Sequence, residues 1–591
     1  MVLQEMGFSP RTHGLIFCSP WQSRSLVDGL APESYRILSS AEMGLALGLR
    51  AVAVRKKDLP KGPPVHSGGG TAKLISYDWT IWAGSPARFE AGTPAVINCI
   101  ALARALQLRN GGRNPENPFN SGNTGNPEIG SEPRVPEEDP GKDFTGLRGK
   151  ELLNAFRDTC IGKDLAVPTT NGPAAFLNFD SAASTPAFEP VWEAYRKALY
   201  RTEGNELIQA VRSRCARFLG VDPGEFDLHF CANTTEAVNL VASGLTGTTS
   251  SEVEPVIVNS LLEHSSNDLP WMTHTPFQTL RLSVDKKGFF DLAGLDRILT
   301  EYNHRKLHGK KRVTLVALSG ASNVLGTCND MEAAARIVHA HGGRLLVDGA
   351  QWVAHRPVDL TRVGMDAFVL SAHKIYAPFG SGLLVIRKGI LPADPPRDGE
   401  ENLAGLAALG KILDILDRIG MDVVAREEER LGIRMIRGLK SIPGLQLYGP
   451  DGAEPEDMDR RVGVFAFNIQ NMVSFKVGKE LAARNGIGIR VGCHCAHILV
   501  KHVLGVGPGL ERFQRFIQTL VPGMTFPGMA RVSLGLENTE EDVDALLAAL
   551  RALAADRGKD PRPDPEARTL VKSFPSQRLA EVYRPVSDDR I

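Results

Sequence analysis

The sequence predicts an α/β fold: a mostly parallel central sheet with helices on both faces, followed by a smaller α+β C-terminal domain. Three observations lead there. From about Gly149, short apolar runs alternate with helix-length periodic segments: PVIVNS (255–260), VTLVALSG (313–320), RLLVDG (344–349), AFVLS (367–371) and GLLVIR (382–387). Their hydrophobicity is continuous rather than alternating, which marks strands covered on both faces. MEAAARIVHAHG (331–342) places a helix between two of them. After Glu400 the pattern turns to long helices, NLAGLAALGKILDILDRIG and MDVVAREEERLGIRMIRGLKSI, then to strands in VGVFAFNI and ARVSLG, and it closes on the helix TEEDVDALLAALRALAA.

At 591 residues the chain exceeds one ordinary domain. We divide it into a front region (1–109), a linker (110–148), a large domain (149–395), a small domain (396–555) and a polar tail (556–591) with one short helix near Ser576–Tyr583. The linker is rich in Gly, Pro, Asn and Glu and cannot bury enough surface to offset its ordering entropy. Lys plus Arg and Asp plus Glu both number 68, which leaves no net field to draw nucleic acid or an anionic membrane. Of eight cysteines only Cys493 and Cys495 are closely spaced, a usage that suits a reducing compartment. The N-terminus lacks the basic-then-apolar order of a signal peptide, and no run of about 18 apolar residues occurs. The expectation is a soluble, cytoplasmic protein that works on a small molecule.

Two of the apolar runs end in groups that do chemistry. RLLV stops at Asp348, and AFVL stops at Ser371-Ala372-His373-Lys374. In an α/β sheet, ligands gather at the carboxyl ends of strands. An ammonium there is costly unless it is neutralised, paired or covalently used. A pyridoxal phosphate site needs an amine for the aldehyde, a carboxylate to keep the ring nitrogen protonated, a phosphate cradle and a flat group against the ring. Lys374 and Asp348, 26 residues apart, offer the first two. Gln351 is placed to reach the phenolic oxygen, and Thr234 and Thr235 sit between a short strand and a helix start, where free N–H groups and hydroxyls attract phosphate. Ser371 adds a donor and His264 a ring for stacking. Each has a plainer reading as an N-cap, a turn residue, a structural histidine or a surface lysine. Their occurrence together and in order is the argument.

With FLNFDSAASTP (176–186), NTTEAVNLVA (233–242), EHSSNDLPW (263–271), SNVLGT (322–327), VDGAQ (347–351), SAHKIYAPFGSG (371–382), IRVGCHCAH (489–497) and ARVSLGLENTEEDVDAL (530–546), the chain resembles the class V aminotransferases among the fold-type I pyridoxal phosphate enzymes, and within them the cysteine desulfurases of the SufS type. The resemblance covers about residues 150–552. It implies pyridoxal 5'-phosphate as cofactor, Lys374 as Schiff-base lysine, Asp348 and Gln351 on the ring and His264 stacked on it. It implies Thr235, Ser371 and His373 at the phosphate, and Asn323 near the cofactor oxygen or the substrate carboxylate. It also implies a homodimer, an amino acid substrate and a sulfur-acceptor protein.

RVGCHCAH decides the reaction. Two cysteines and two histidines resemble metal ligands, but no second cluster completes a set of four, so no metal is expected. Gly492 and the polar flanks make this a loop, and a loop thiol is the reactive kind. The resemblance makes Cys495 the nucleophile that takes sulfur from L-cysteine, leaving alanine and a persulfide. Arg490 nearby favours its thiolate, and the resemblance implies that Arg531 clamps the substrate carboxylate. Cys493, Ser265 and Ser181 stand where the family has His, His and Asn. These departures keep open an aminotransferase, lyase or epimerase acting on another amino acid, and a non-catalytic accessory protein.

The front region echoes the centre. LSSAEMGLALGLRAVAVRKKDLP (38–60) lies without gaps on LSAHKIYAPFGSGLLVIRKGILP (370–392) at an offset of 332, with seven identities in 23 positions. Glu42 falls where Lys374 lies, so this copy is a truncated, lysine-less partial repeat. It retains an AGTP threonine, Thr93, that the main copy lacks. Thr93 either reaches a phosphate site on the main domain or on its dimer mate, or belongs to a degenerate remnant.

Overall fold

The computed structural model describes residues 9, 12–111, 144–199, 204–246, 252–273, 277–391, 400–520, 528–556, 569 and 571–574. Most of the expected linker and tail, including the short helix near 576–583, lies outside them. Among the described residues no helix is long and apolar enough to cross a membrane.

In the front region β1 (His13–Cys18), β2 (Tyr35–Ser39) and β3 (Arg50–Arg55) form an antiparallel sheet in the order β1-β3-β2, and β4 (Ala72–Ile75) and β5 (Thr80–Trp82) form a hairpin. A second hairpin, β6 (Ala166–Thr169) and β7 (Gly172–Ala175), is followed by β8 (Leu177–Asn178). The central sheet holds β9 (Phe226–Cys231), β10 (Glu254–Ser260), β11 (Gln278–Leu282), β12 (Lys311–Ser319), β13 (Arg344–Asp348), β14 (Ala367–Ser371) and β15 (Gly382–Arg387), in the order β11-β10-β12-β13-β14-β15-β9. β11 through β14 pair in parallel, and β15 runs antiparallel to both neighbours. The continuous apolar runs fall on these strands, and β14 is buried along its whole length, as double coverage by helices demands.

The small domain carries β16 (Leu445–Tyr448), β17 (Val464–Ile469), β18 (Ile487–Gly488), β19 (Arg490–Gly492) and β20 (Met529–Ser533), with β16-β17-β20-β19 as its antiparallel sheet. Its core unites Phe465, Phe467 and Val532 with Leu546 and Leu550 of the helix Glu540–Ala555. The boundary expected at 396 moves. The helix Leu403–Ile419 is apolar on nearly every side and packs against the helices Glu189–Ala198 and Gly204–Phe218 in the large core, so beyond residue 396 the chain enters the small core, which also holds Phe179, only at Leu431.

The front region packs onto the large domain. Leu47, Leu49, Ala51 and Leu102 join its core. Arg50 grips Glu400 with two nitrogens at 3.1 and 2.7 Å, Ser19 Oγ donates to Glu236 at 2.5 Å, and Asn98 Nδ2 donates to the Phe379 carbonyl at 3.3 Å. The 332-residue echo is structural as well. β2 and β3 pair Ser39 with Arg50 as β14 and β15 pair Ser371 with Gly382, and the order β1-β3-β2 reproduces β9-β15-β14.

Candidate active site

β13 and β14 are parallel neighbours with Asp348 opposite Val369, so their carboxyl ends open on one side of the sheet. Lys374 follows β14 by a single turn of 3₁₀ helix. Both line a cavity of about 320 Å³. The same cavity is lined by Thr234, Thr235, His264, Asn323, Ser371, His373, Arg490, Cys495 and Arg531, so ten of the sequence-predicted residues besides Asp348 converge there. Gln351 does not. It is buried, and its Nε2 donates to the carbonyl of Ala182, which does line the cavity, at 2.7 Å.

Burial pulls the Lys374 amine below the usual lysine range, and Asp348 is the largest influence opposing it. Burial raises the Asp348 carboxyl in turn, with Lys374 the largest influence opposing that. Each is the other's main counter-charge. The Asp348 carboxylate also accepts from the Ala350 N–H at 3.0 Å, which fixes its orientation. His264 is held well below the ordinary histidine range by burial and by the Lys374 and Arg531 charges, so its ring is neutral at pH 7. Its Nδ1 accepts from the Ser266 N–H at 3.2 Å, which leaves the ring proton on Nε2.

At the other end, the helix Thr234–Thr246 starts at the cavity with Asn233 as its cap, Oδ1 accepting from the Glu236 N–H at 3.0 Å. Ser371 Oγ accepts from the Thr234 N–H at 2.7 Å and donates to Thr234 Oγ1 at 2.8 Å, while Thr235 Oγ1 meets Ser266 Oγ at 2.6 Å. His373 is pushed down to about 3 by burial and then by Lys374, and its buried Nδ1 has no partner among the described residues. Hydroxyls, a helix N-terminus and an orphan ring nitrogen form a cradle for an anion.

The thiol comes from the small domain on a loop between β19 and the helix His497–Leu504. His494 and Cys495 both adopt left-handed backbone, φ 52° and 56°, a conformation that costs a non-glycine residue of order 1–3 kcal/mol and persists only where neighbours impose it. Here Asn323 Nδ2 donates to the His494 carbonyl at 2.8 Å and Ser265 N–H to the Cys495 carbonyl at 2.7 Å. Cys495 is half-buried and lines the cavity. Cys493 does not line it, and burial, only partly offset by Lys501, pushes its thiol up to about 11. Arg531, 2% exposed, donates from Nη1 to the Asn323 carbonyl at 2.9 Å and from Nη2 to Asp180 at 2.6 Å, while its Nε has no partner among the described residues. Arg490 is more exposed and meets the other Asp180 oxygen at 3.6 Å.

Sequence reasoning missed Asp180, which braces both arginines, Asn233, which caps the phosphate-side helix, and His494. The signals were present in FDSAAS, the ANTTE start and the central histidine of CHC. Gly69, Gly70, Gly92, Thr93 and Pro94 of the front region also line the cavity.

The order of the seven-stranded sheet, a lysine one turn beyond β14 and an aspartate at the end of the adjacent parallel strand β13 define a fold-type I transferase. The sequence profile described as Aminotransferase class-V matches residues 43–114, 177–399 and 394–546, and the chain belongs to that family. A cysteine desulfurase of Cronobacter sakazakii is 31% identical over 435 residues, covering 66% of this chain and 96% of the relative. One of Escherichia coli is 28% identical over 421 residues, covering 64% and 93%. Among solved structures, the apo cysteine desulfurase of Thermococcus onnurineus aligns with a TM-score of 0.54 at 24% identity over 64% of this chain and 95% of that one. The Escherichia coli cysteine desulfurase CsdA aligns at 0.52 and 24% identity, covering 68% and 98%. These likenesses show the shared fold.

Proposed function

We propose that the protein is a pyridoxal 5'-phosphate-dependent cysteine desulfurase that takes sulfur from L-cysteine and leaves L-alanine and a persulfide on Cys495. The observation that carries this reading is that an amine (Lys374), a guanidinium (Arg531) and a loop thiol (Cys495) line one cavity. The residues fit the cofactor. Lys374 and Asp348 are buried counter-charges, His264 presents a neutral ring, and Thr234, Thr235, Ser371 and the orphan Nδ1 of His373 face an anion. When bound, the cofactor supplies an electron sink at the substrate's α-carbon.

The chain does the rest. Arg531, whose Nε is unspent, holds the substrate carboxylate with Asn323 beside it. The Lys374 amine, drawn down by burial, gives and takes protons at the substrate carbons. Cys495 Sγ attacks the substrate sulfur: the C–S bond breaks, an S–S bond forms, and the carbon takes a proton to become the methyl of alanine. Braced left-handed backbone presents the thiol without waiting for the loop to order. We further propose a homodimer in a reducing cytoplasm that passes the persulfide sulfur to an acceptor protein. The test is paired. Purified protein reconstituted with the cofactor absorbs visible light and, with a reducing thiol such as dithiothreitol to discharge the persulfide, yields alanine and sulfide from L-cysteine, and Cys495→Ala keeps the absorbance but loses both products. A colourless reconstituted protein would overturn the reading.

A further inference from the structure

The two copies have complementary losses. The front copy keeps the β9-β15-β14 arrangement but has Glu42 in place of the lysine, so it has no site of its own. The main copy passes from Leu391 to Asn402 in 11 residues, where the front copy takes 34 from Leu59 through the β4-β5 hairpin to Thr93. That retained stretch lies against the main site. Ser67 and Asn239 exchange hydrogen bonds, Ser67 N–H to Oδ1 at 3.3 Å and Nδ2 to the Ser67 carbonyl at 2.8 Å. The fit leaves no room for a side chain at two positions and little at a third: a Cβ on Gly68 would fall 2.3 Å from Thr235 Cγ2 and one on Gly92 2.4 Å from Asn233 Oδ1, while one on Gly69 would lie 3.1 Å from His264 Cε1. Gly68 and Gly92 also have φ of 151° and 91°, which favour glycine. The Gly92 N–H donates to the Gly69 carbonyl at 2.9 Å and joins the two glycine turns into one wall.

We propose that each chain completes its own phosphate subsite in cis, with Thr93 and the backbone around Gly69–Gly70 and Gly92 forming the wall beside Thr234, Thr235 and Ser371, so that no second copy contributes to the site. This rests on the pyridoxal phosphate reading above. The hairpin is held over the thiol side by a buried lock. Lys501 Nζ, on the helix after the thiol loop, donates to the Ile75 carbonyl at 3.0 Å and to Glu511 at 2.7 Å, and Ser76 Oγ donates to Glu511 at 2.9 Å.

The experiment is cofactor titration of the full chain by visible absorbance, with no turnover required. Thr93→Val is expected to weaken binding by roughly tenfold or more, the usual worth of a hydrogen bond to a charged group, and Thr93→Ser to restore it. Co-expression of differently tagged Thr93→Val and Lys374→Ala chains then separates cis from trans. In cis, purified mixed assemblies show only the weak Thr93→Val affinity. Sharing between chains would return wild-type affinity to one site per pair and overturn the proposal. If the protein sediments as a monomer, wild-type affinity in that monomer supports the same conclusion. Unchanged binding by Thr93→Val also overturns it. A wild type that binds no cofactor would instead sink the proposed function itself.

Discussion

Glu428→Gln tests the joint on which the site depends, because Lys374 belongs to the large domain while Cys495 and Arg531 belong to the small one. Glu428, 7% exposed on the helix Met421–Lys440, takes Arg356 Nη1 at 2.6 Å on one oxygen and His355 Nδ1 on the other. Arg356 also donates to the carbonyls of Met458 and Arg461 at 3.0 and 2.6 Å. Burial alone would raise the Glu428 carboxyl, but His355 and Arg356 outweigh it and bring it from near 4.5 down to about 2. That difference is worth about 3 kcal/mol. Breaking a buried pair from one side costs about 3–5 kcal/mol, which agrees. The folded pKa is depressed, so the stability is fully present above pH 4.5 and is lost as pH falls toward 2, with about 1.5 kcal/mol left at pH 3. Urea denaturation of the wild type and Glu428→Gln at several pH values reads this directly, since other carboxylates titrate alike in both proteins. The gap is expected to be about 3 kcal/mol at pH 7 and to halve by pH 3. A gap that stays constant over that range would show that packing, and not the carboxylate charge, supplies the stability.

Three further outcomes follow. Cys493→Ala is expected to keep alanine production within about twofold, and iodoacetamide labelling of Cys493 to accelerate only as pH approaches 11, because the neutral thiol is a poor nucleophile. Lys501→Met strands the Glu511 carboxylate in a buried position and should destabilise by about 3 kcal/mol; limited proteolysis inside the β4-β5 hairpin before the rest of the chain is cut would confirm the lock, and uniform cutting would refute it. Asp348→Asn removes the main influence opposing burial at Lys374, so the amine should titrate at lower pH than in the wild type. NMR of the reductively methylated apoprotein reads this, and an unchanged titration would show that the two groups are uncoupled.

Local pattern carried far in this protein. The apolar runs at β10, β12, β13, β14 and β15 need burial on both faces, which a mostly parallel sheet under two helix layers supplies, and that pattern alone puts Asp348 and Lys374 at strand ends. Turn chemistry likewise set Thr234 at a helix start and Cys495 on a loop. Gln351 shows the limit. Its Nε2 donates to the carbonyl of Ala182, a residue 169 positions earlier, and no local period encodes that partner. The helix Leu403–Ile419 likewise gave no hint of which core it would enter, since an all-round apolar helix is satisfied by either. The pairing of Asp180 with Arg531 across 351 residues, and the seating of Gly68, Gly69 and Gly92 on Thr235, His264 and Asn233, arise only when distant segments are brought into contact. Thus the sequence by itself determined the strands, the lysine and the thiol, because backbone hydrogen bonding and burial act over a few neighbouring residues. Only the tertiary structure decided that the lysine-less front copy closes the cavity of its own chain, because that depends on which surfaces are complementary once the chain is folded.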